Sequence, residues 1–434
     1  MKLTETLMQK HLAASTSHSA VNVDVVMSPR GLKFWLVPSH AVPVVSLEFA
    51  MRGGSAQDPA DKAGLGALMS AVLDEGAGDL DSQAFHRALD EIAVEMSFHC
   101  DRDHWSGRMR TLTKNLDRAA ELLRLAVNAP RFDQEPFERV REHMNARLRH
   151  DANDPATLAS RSWKAKSFPN HPYGQPAEGT LETLARIERA DLINAAKRGI
   201  ARDQLMIAVV GAIEEKEAAA LVDRAFADLA AKSDLKPIPG AAFAGLGAID
   251  RIDLDVPQST IRFGRPALKR DDPDFIPAIV AAHVLGGSGS MTSRLFREVR
   301  EKRGLAYTVF GTFYSLEHGA YFYGGTTTKN ERARESFDVA SAEIRDVAMN
   351  GLNEEELEKG KTYLIGSYPL RFDTSAKIAS QLVHIQLERR APEWLVERNR
   401  EIAAVTMESV KRAAHRAFGD GSLHTTVVGR PEGF

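Results

Sequence analysis

The sequence predicts an α+β protein built from two similar domains, each a mostly antiparallel sheet packed with helices. Three observations carry that expectation. Short runs of strand-like hydrophobicity are interleaved with longer helical periodicities. The pattern starts again after an Ala-, Gly- and Pro-rich stretch that ends near residue 247. Two distant segments also match. Leu192–Gly211 reads LINAAKRGIARDQLMIAVVG and Val410–Gly429 reads VKRAAHRAFGDGSLHTTVVG, each a helix, a turn and a strand closing on Val-Val-Gly. Ala159-Ser160 and Ala379-Ser380 stand in equivalent helices at nearly the same offset. An internal duplication accounts for these matches, with chance likeness between helix–turn–strand units as the plainer explanation. The expected division is a first domain at 1–231, a linker at 232–247 and a second domain at 248–434.

In chain order, Val21–Met27, Leu32–Val37 and Val44–Met51 read as strands. In the third, Val45, Leu47 and Phe49 face opposite to Val44, Ser46, Glu48 and Ala50. Helical spacing runs from Lys62 to Leu73 and stops at Gly76. A second helix covers Ser82–Ile92, with Asp81 as its N-cap. Strands are expected at Val94–Asp101 and Trp105–Leu112, then helices at Asn115–Asn128, Glu135–His150 and Pro155–Phe168. A helix at Asp191–Arg198 and a strand at Gln204–Val210 close the first half. The second half repeats the scheme. Strands are expected at Ile249–Val256, Ser259–Gly264, Leu305–Tyr314, Ala320–Thr326 and Leu423–Val428. Helices are expected at Phe275–Leu285, from about Ser290, and at Arg332–Asn350, Asn353–Tyr368, Thr374–Leu387 and Met407–Phe418.

Bulk composition narrows the function classes. The 434 residues are 43% hydrophobic, enough for more than one core. A net charge of -3 supplies no global field to attract nucleic acid or anionic membrane. A lone cysteine, Cys100, rules out an intrachain disulfide and a cysteine-rich zinc site. Met1–Ser19 hold no apolar run of signal-peptide length, and no stretch reads as a membrane span. The expected compartment is the cytoplasm or the periplasm.

The stretch Leu285–Tyr307 reads LGGSGSMTSRLFREVREKRGLAY. It resembles the second-half signature of the pitrilysin family of zinc metallopeptidases, which includes insulin-degrading enzyme and mitochondrial processing peptidase. Arg52-Gly53-Gly54-Ser55, Lys62-Ala63-Gly64-Leu65 and His171-Pro172-Tyr173-Gly174 agree in family order, so the resemblance covers nearly the whole chain. It implies a fold like that of mitochondrial processing peptidase. Active members carry H-x-x-E-H on the helix after the Gly-Leu pair. There, histidines at i and i+4 share a zinc ion and the Glu activates the bound water. This chain has Ala67, Ser70 and Ala71 at those three positions. A methyl group has no lone pair for zinc, and a hydroxyl is a poor general base. Glu142 is the nearest match to the family's third ligand, at a spacing shorter than usual. No catalytic residue and no metal are therefore expected in this chain.

The resemblance also implies that Arg300 and Tyr307 reach a bound peptide near its scissile bond, Arg with a fork of donors and Tyr with its hydroxyl. The plainer readings are an ion pair within the charged helix for Arg300 and a core aromatic for Tyr307. Val94–His99 corresponds to the family's substrate-pairing sheet edge. The Gly286–Ser290 turn lacks the Walker pattern and corresponds to a loop near the family's substrate chamber. His99–His104 looks metal-like in composition. Strand alternation sends His99, Asp101 and Asp103 to one face and Cys100 and His104 to the other, so the donors do not converge. Composition leaves a Ser/His/Asp triad open, although no G-x-S-x-G elbow is present.

The resemblance thus implies a zinc-free, substrate-binding or regulatory subunit of a heterodimeric peptidase. Its partner would be a homologous subunit with H-x-x-E-H and the zinc, and a peptide would be the substrate. Whether that peptide is a general oligopeptide or a dedicated precursor, such as that of pyrroloquinoline quinone, is not legible. The rival expectations are a structural scaffold like the core proteins of the respiratory cytochrome bc1 complex, and an independent metal enzyme built on His99–His104.

Overall fold

The computed structural model describes residues 21–287 and 290–434. The leader reading at Met1–Ser19 and the middle of the Gly286–Ser290 turn lie outside them. Two sheets are formed. The first contains β1 (Asp24–Met27), β2 (Lys33–Pro38), β3 (Val44–Arg52), β4 (Glu95–Cys100), β5 (His104–Leu112) and β6 (Leu205–Gly211), in the order β1-β2-β6-β3-β5-β4. The second contains β7 (Ile249–Ile252), β8 (Gln258–Pro266), β9 (Ala306–Ser315), β10 (Ala320–Lys329) and β11 (His424–Val428), in the order β7-β11-β8-β10-β9.

Apart from β1, the two orders superpose strand for strand. In each sheet one pair is parallel, β2 with β6 and β7 with β11, and the other pairs are antiparallel. The likeness reaches single contacts. Phe49 lies opposite Gly107 across β3 and β5, and Phe263 lies opposite Gly324 across β8 and β10. A Cβ on either glycine would come within 2.5 Å of the facing ring, so both positions require glycine. The fold therefore contains two homologous α+β units, as the Val-Val-Gly match predicts.

Each sheet packs its own helices on one face. On the first sheet these include Leu65–Val72, Leu116–Asn128, Gln134–Asp151 and Glu215–Phe226. On the second they include Phe275–Gly286, Ala333–Asn350, Glu354–Gly366 and Met407–Phe418. The other face is closed by exchange. The helix Pro155–Ser167 from the first half lies on β8 and β11, and Ser375–Leu387 from the second half lies on β3 and β6. Equivalent caps begin both helices: Asp154 accepts from the Thr157 N–H, and Thr374 from that of Lys377.

The exchange explains why β2 and β6 are apolar on both faces. Trp35, Val37, Ala50, Ala208 and Val210 pack against Leu382, Val383 and Trp394. On the opposite side Trp163 is fully buried among Phe168, Phe243, Tyr321 and Tyr323, and its indole N–H donates to the His424 carbonyl at 2.9 Å. Residues 232–247 carry neither helix nor strand, yet they are not a loose tether. Phe243 packs on Trp163, and the Ala244 N–H bonds the Ser167 carbonyl.

Three expectations need correction. The helix placed at Lys62–Leu73 begins at Leu65, because Gly64 at φ +95° breaks the helical path before it. The strand placed at Ile249–Val256 ends at Ile252. The helices Glu215–Phe226 and Trp394–Ala403 were not expected. The first opens on a Glu214/Glu217 capping box, and Glu is a weak N-cap signal.

The exchanged helices predict a seam that holds without covalent continuity. A chain cut within the partly exposed stretch 232–236 is expected to keep both pieces together in native size-exclusion chromatography. Trp163→Ala in the cut chain removes about 3–5 kcal/mol and is expected to release them. Pieces that separate without the substitution would show that the exchanged helices do not hold the halves.

Candidate functional site

The helix Leu65–Val72, where the family places its zinc motif, is held at its start by a half-buried carboxylate. Gly64 has no side chain to cap it, so Asp58 accepts instead from the N–H groups of Gly64, at 3.0 Å, and Gly66, at 2.9 Å. Cys100 supports the same turn from β4, and a Cβ on Gly66 would come within 2.7 Å of its Sγ. Burial pushes the Asp58 carboxyl up to about 7 despite these hydrogen bonds, and burial likewise raises the Cys100 thiol.

Along this helix Ala67 is half-buried, Ala71 is exposed, and Ser70 is only 2% exposed. The Ser70 hydroxyl donates to the Gly66 carbonyl at 2.9 Å, which turns it into the helix rather than toward solvent. Glu142 is exposed. Its carboxylate takes Arg149 at 2.7 Å and Asn145 at 3.3 Å, and the Arg149 guanidinium holds it below the usual range. Among the described residues no three His, Cys, Asp or Glu side chains are arranged to hold a metal. The donor set at 67, 70 and 71 does not fit zinc, so no hydrolytic step is assigned to this chain.

The His99–His104 segment departs from strict alternation. The turn Asp101–Asp103 separates β4 from β5 and resets the facing of side chains. As a result both imidazoles approach one carboxylate, His99 Nε2 at 3.4 Å and His104 Nε2 at 3.1 Å from Asp101. Cys100 points inward and Asp103 accepts from the Tyr173 hydroxyl at 2.7 Å, so neither joins them. A Ser/His/Asp chain does occur elsewhere. Ser167 Oγ lies 2.7 Å from His424 Nδ1, and His424 Nε2 lies 2.8 Å from Asp250. Ser167 and His424 are 0% exposed, with the Gly245 backbone packed on the imidazole. This chain of groups ties the seam and offers no entry to a substrate.

Arg300 and Tyr307 are brought together. Arg300 lies in a π-helical turn, Phe296–Glu301, a geometry that recurs at functional positions. Its guanidinium stacks between two rings, 4.8 Å from the Phe296 centroid and 4.5 Å from that of Tyr307. The other cations of the segment are engaged: Arg294 with Asp346 and Glu356, Arg297 with Glu356, and Lys302 and Arg303 with Glu298. Arg300 has no carboxylate within ion-pair distance among the described residues. Tyr307 is 77% exposed. The ion-pair and core-aromatic readings therefore do not hold. The N–H fork is oriented by the rings and left free to donate. Phe296 was not singled out from sequence, although its spacing of four from Arg300 on one helical face was a readable signal.

No hydrogen bond, ion pair or ring contact links Arg300 or Tyr307 to the helix Leu65–Val72 among the described residues. β4 pairs only with β5, so its outer edge is open along Glu95–Cys100.

Residues 35–181 match the family model described as insulinase (peptidase family M16), and residues 186–364 match the one described as peptidase M16 inactive domain. The non-peptidase homolog YmxG of Helicobacter pylori is 26% identical over 339 residues, 77% of each chain. An uncharacterized zinc protease of Mycobacterium leprae is 24% identical over 391 residues, 89% of this chain and 87% of that one. The crystal structure of a peptidase M16 inactive domain from Pseudomonas fluorescens superposes with a TM-score of 0.88 at 25% identity, covering 95% of this chain and 98% of that one. A protease from Helicobacter pylori shares the fold at a TM-score of 0.84 and 16% identity, covering 94% of this chain and 99% of that one.

Two stability outcomes follow. Ser70→Glu puts a carboxylate into a closed site and is expected to cost about 2 kcal/mol or more, whereas Ala71→His at the exposed position stays within about 0.5 kcal/mol. Urea unfolding of the two variants measures the contrast, and equal stabilities would contradict the closed packing at Ser70. Asp58 holds its proton in the folded chain up to about pH 7, while the unfolded chain releases it near 3.8. The folded state then binds more protons across that window, so this group's contribution to stability falls as pH rises through it. Asp58→Asn is expected to lose less stability than the unsubstituted chain over the same range in unfolding titrations.

Proposed function

The chain belongs to the insulinase-type M16 peptidase family as a non-catalytic member, and on that premise we propose that it is the substrate-binding subunit of a heterodimeric metallopeptidase. The observation that carries the reading is the contrast between its two halves. The helix Leu65–Val72 lacks the zinc donors at 67, 70 and 71, while Arg300 and Tyr307 lie together, Arg300 half-buried and without an ion pair among the described residues and Tyr307 exposed.

In this reading a homologous partner with H-x-x-E-H holds the zinc and activates the water. This chain contributes the Arg300 fork to a peptide carbonyl and the Tyr307 hydroxyl as a second donor, positioning the scissile bond. The open edge of β4 offers main-chain pairing to an extended peptide, which tolerates many sequences. The working division stays at 1–231, 232–247 and 248–434. The compartment, cytoplasm or periplasm, is that of the partner. No helix among the described residues is long and apolar enough to cross a membrane.

The test is reconstitution with a homologous H-x-x-E-H chain. Arg300→Ala is expected to lower peptide turnover by about a hundredfold, the scale of losing one positioned donor, without changing the zinc content of the complex. Tyr307→Phe is expected to show a smaller loss. A complex that forms normally but turns over unchanged in the Arg300 variant would favour the scaffold role instead.

A further inference from the structure

A groove of about 740 Å³ lies where β3, β4 and β5 meet the first turns of the helix Ser375–Leu387. Its floor is the face of the first sheet turned away from that half's own helices, and its wall comes from the second half. The pairing registers place Glu48, Arg108 and Ser97 in one row across the floor. Directly opposed residues have Cβ atoms about 4.5–5.5 Å apart, close enough for opposite charges to join.

Here they do not join. Glu48 and Arg108 make no ion pair within 4.0 Å. Glu48 is half-buried and lines the groove beside Ser380 from across the seam. Arg108 turns away from it, its Nε donating to Ser97 Oγ at 2.8 Å, and its terminal nitrogens have no partner among the described residues. The neighbouring charges are already satisfied, Arg110 by Glu95 at 2.5 Å and Lys377 by Asp373 at 2.7 Å. The groove thus holds one carboxylate and one guanidinium apart, both facing the same open space. A ligand with an ammonium at one end and a carboxylate at the other satisfies both at once.

We propose that this groove binds a short peptide with free ends, its ammonium on Glu48 and its carboxylate on Arg108. The proposal does not depend on a zinc-bearing partner, because every group belongs to this chain.

Isothermal titration of the full chain with alanyl-alanine tests it, with N-acetyl-alanyl-alanine, alanyl-alanine amide and alanine as comparisons. Alanyl-alanine is expected to bind, and blocking either end is expected to weaken binding by about tenfold or more. Glu48→Gln should bind weakly and no longer distinguish the acetylated form. Arg108→Met should no longer distinguish the amide. Both variants are expected to unfold at the temperature of the unsubstituted chain, since neither group is paired with a charge. No heat at millimolar dipeptide, equal binding of blocked forms, or unchanged discrimination in both variants would overturn the site. Alanine binding as tightly as the dipeptide would overturn the peptide assignment.

Discussion

The structure depends on the reciprocal exchange of one helix between its halves. A sheet buried on one face by its own helices still has a second face, and there the first sheet carries Trp35, Val37, Ala50, Ala208 and Val210, and β10 of the second carries Tyr321 and Tyr323. Water would meet those residues in an isolated half. The hydrophobic effect is satisfied only when Pro155–Ser167 and Ser375–Leu387 cross over, with Trp163 buried against β10 and β11. Two units that look separable by sequence are therefore completed by each other.

That constraint reaches the degenerate site. At the seam the Asp101–Asp103 turn meets the turn between β9 and β10: Asp103 accepts from Tyr173 and from the Glu317 N–H at 2.9 Å. The position of this turn sets the end of β4, which places Cys100 beneath Gly66. Gly66 and Asp58 then set the start of the helix Leu65–Val72. The helix keeps its place and its packing without its chemistry, because its position is enforced by the seam and its caps rather than by a metal. Arg300 is held by a different device. Two rings fix the guanidinium plane without consuming its hydrogen-bond donors, whereas a carboxylate partner would have occupied them.

Much of this was legible before any coordinates. The Val-Val-Gly match marked β6 and β11, and the equivalent strand orders follow from the same duplication. The losses at Ala67, Ser70 and Ala71 and the presence of Arg300 and Tyr307 could be read directly against the family motif. Other features were hidden for physical reasons. Strand alternation misplaced His99 relative to His104 because a three-residue turn resets the pleat. The helix Glu215–Phe226 was missed because its cap is a glutamate. The stretch 232–247 looked like a tether because its composition suits one, yet Phe243 is part of an aromatic cluster.

By itself the sequence determined which chemistry is absent. A methyl or a hydroxyl at three spaced positions cannot bind or activate what two imidazoles and a carboxylate would, whatever the fold does. It also determined the repeated succession of strands and helices along the chain, because hydrophobic period and turn residues are local properties. Tertiary structure alone decided how the halves complete each other, that Ser70 faces inward, that Arg300 lies between Phe296 and Tyr307, and that Glu48 and Arg108 stand apart. Each of these depends on residues far apart in the chain, or on which way a side chain turns when several partners are within reach. Local sequence carries neither kind of information.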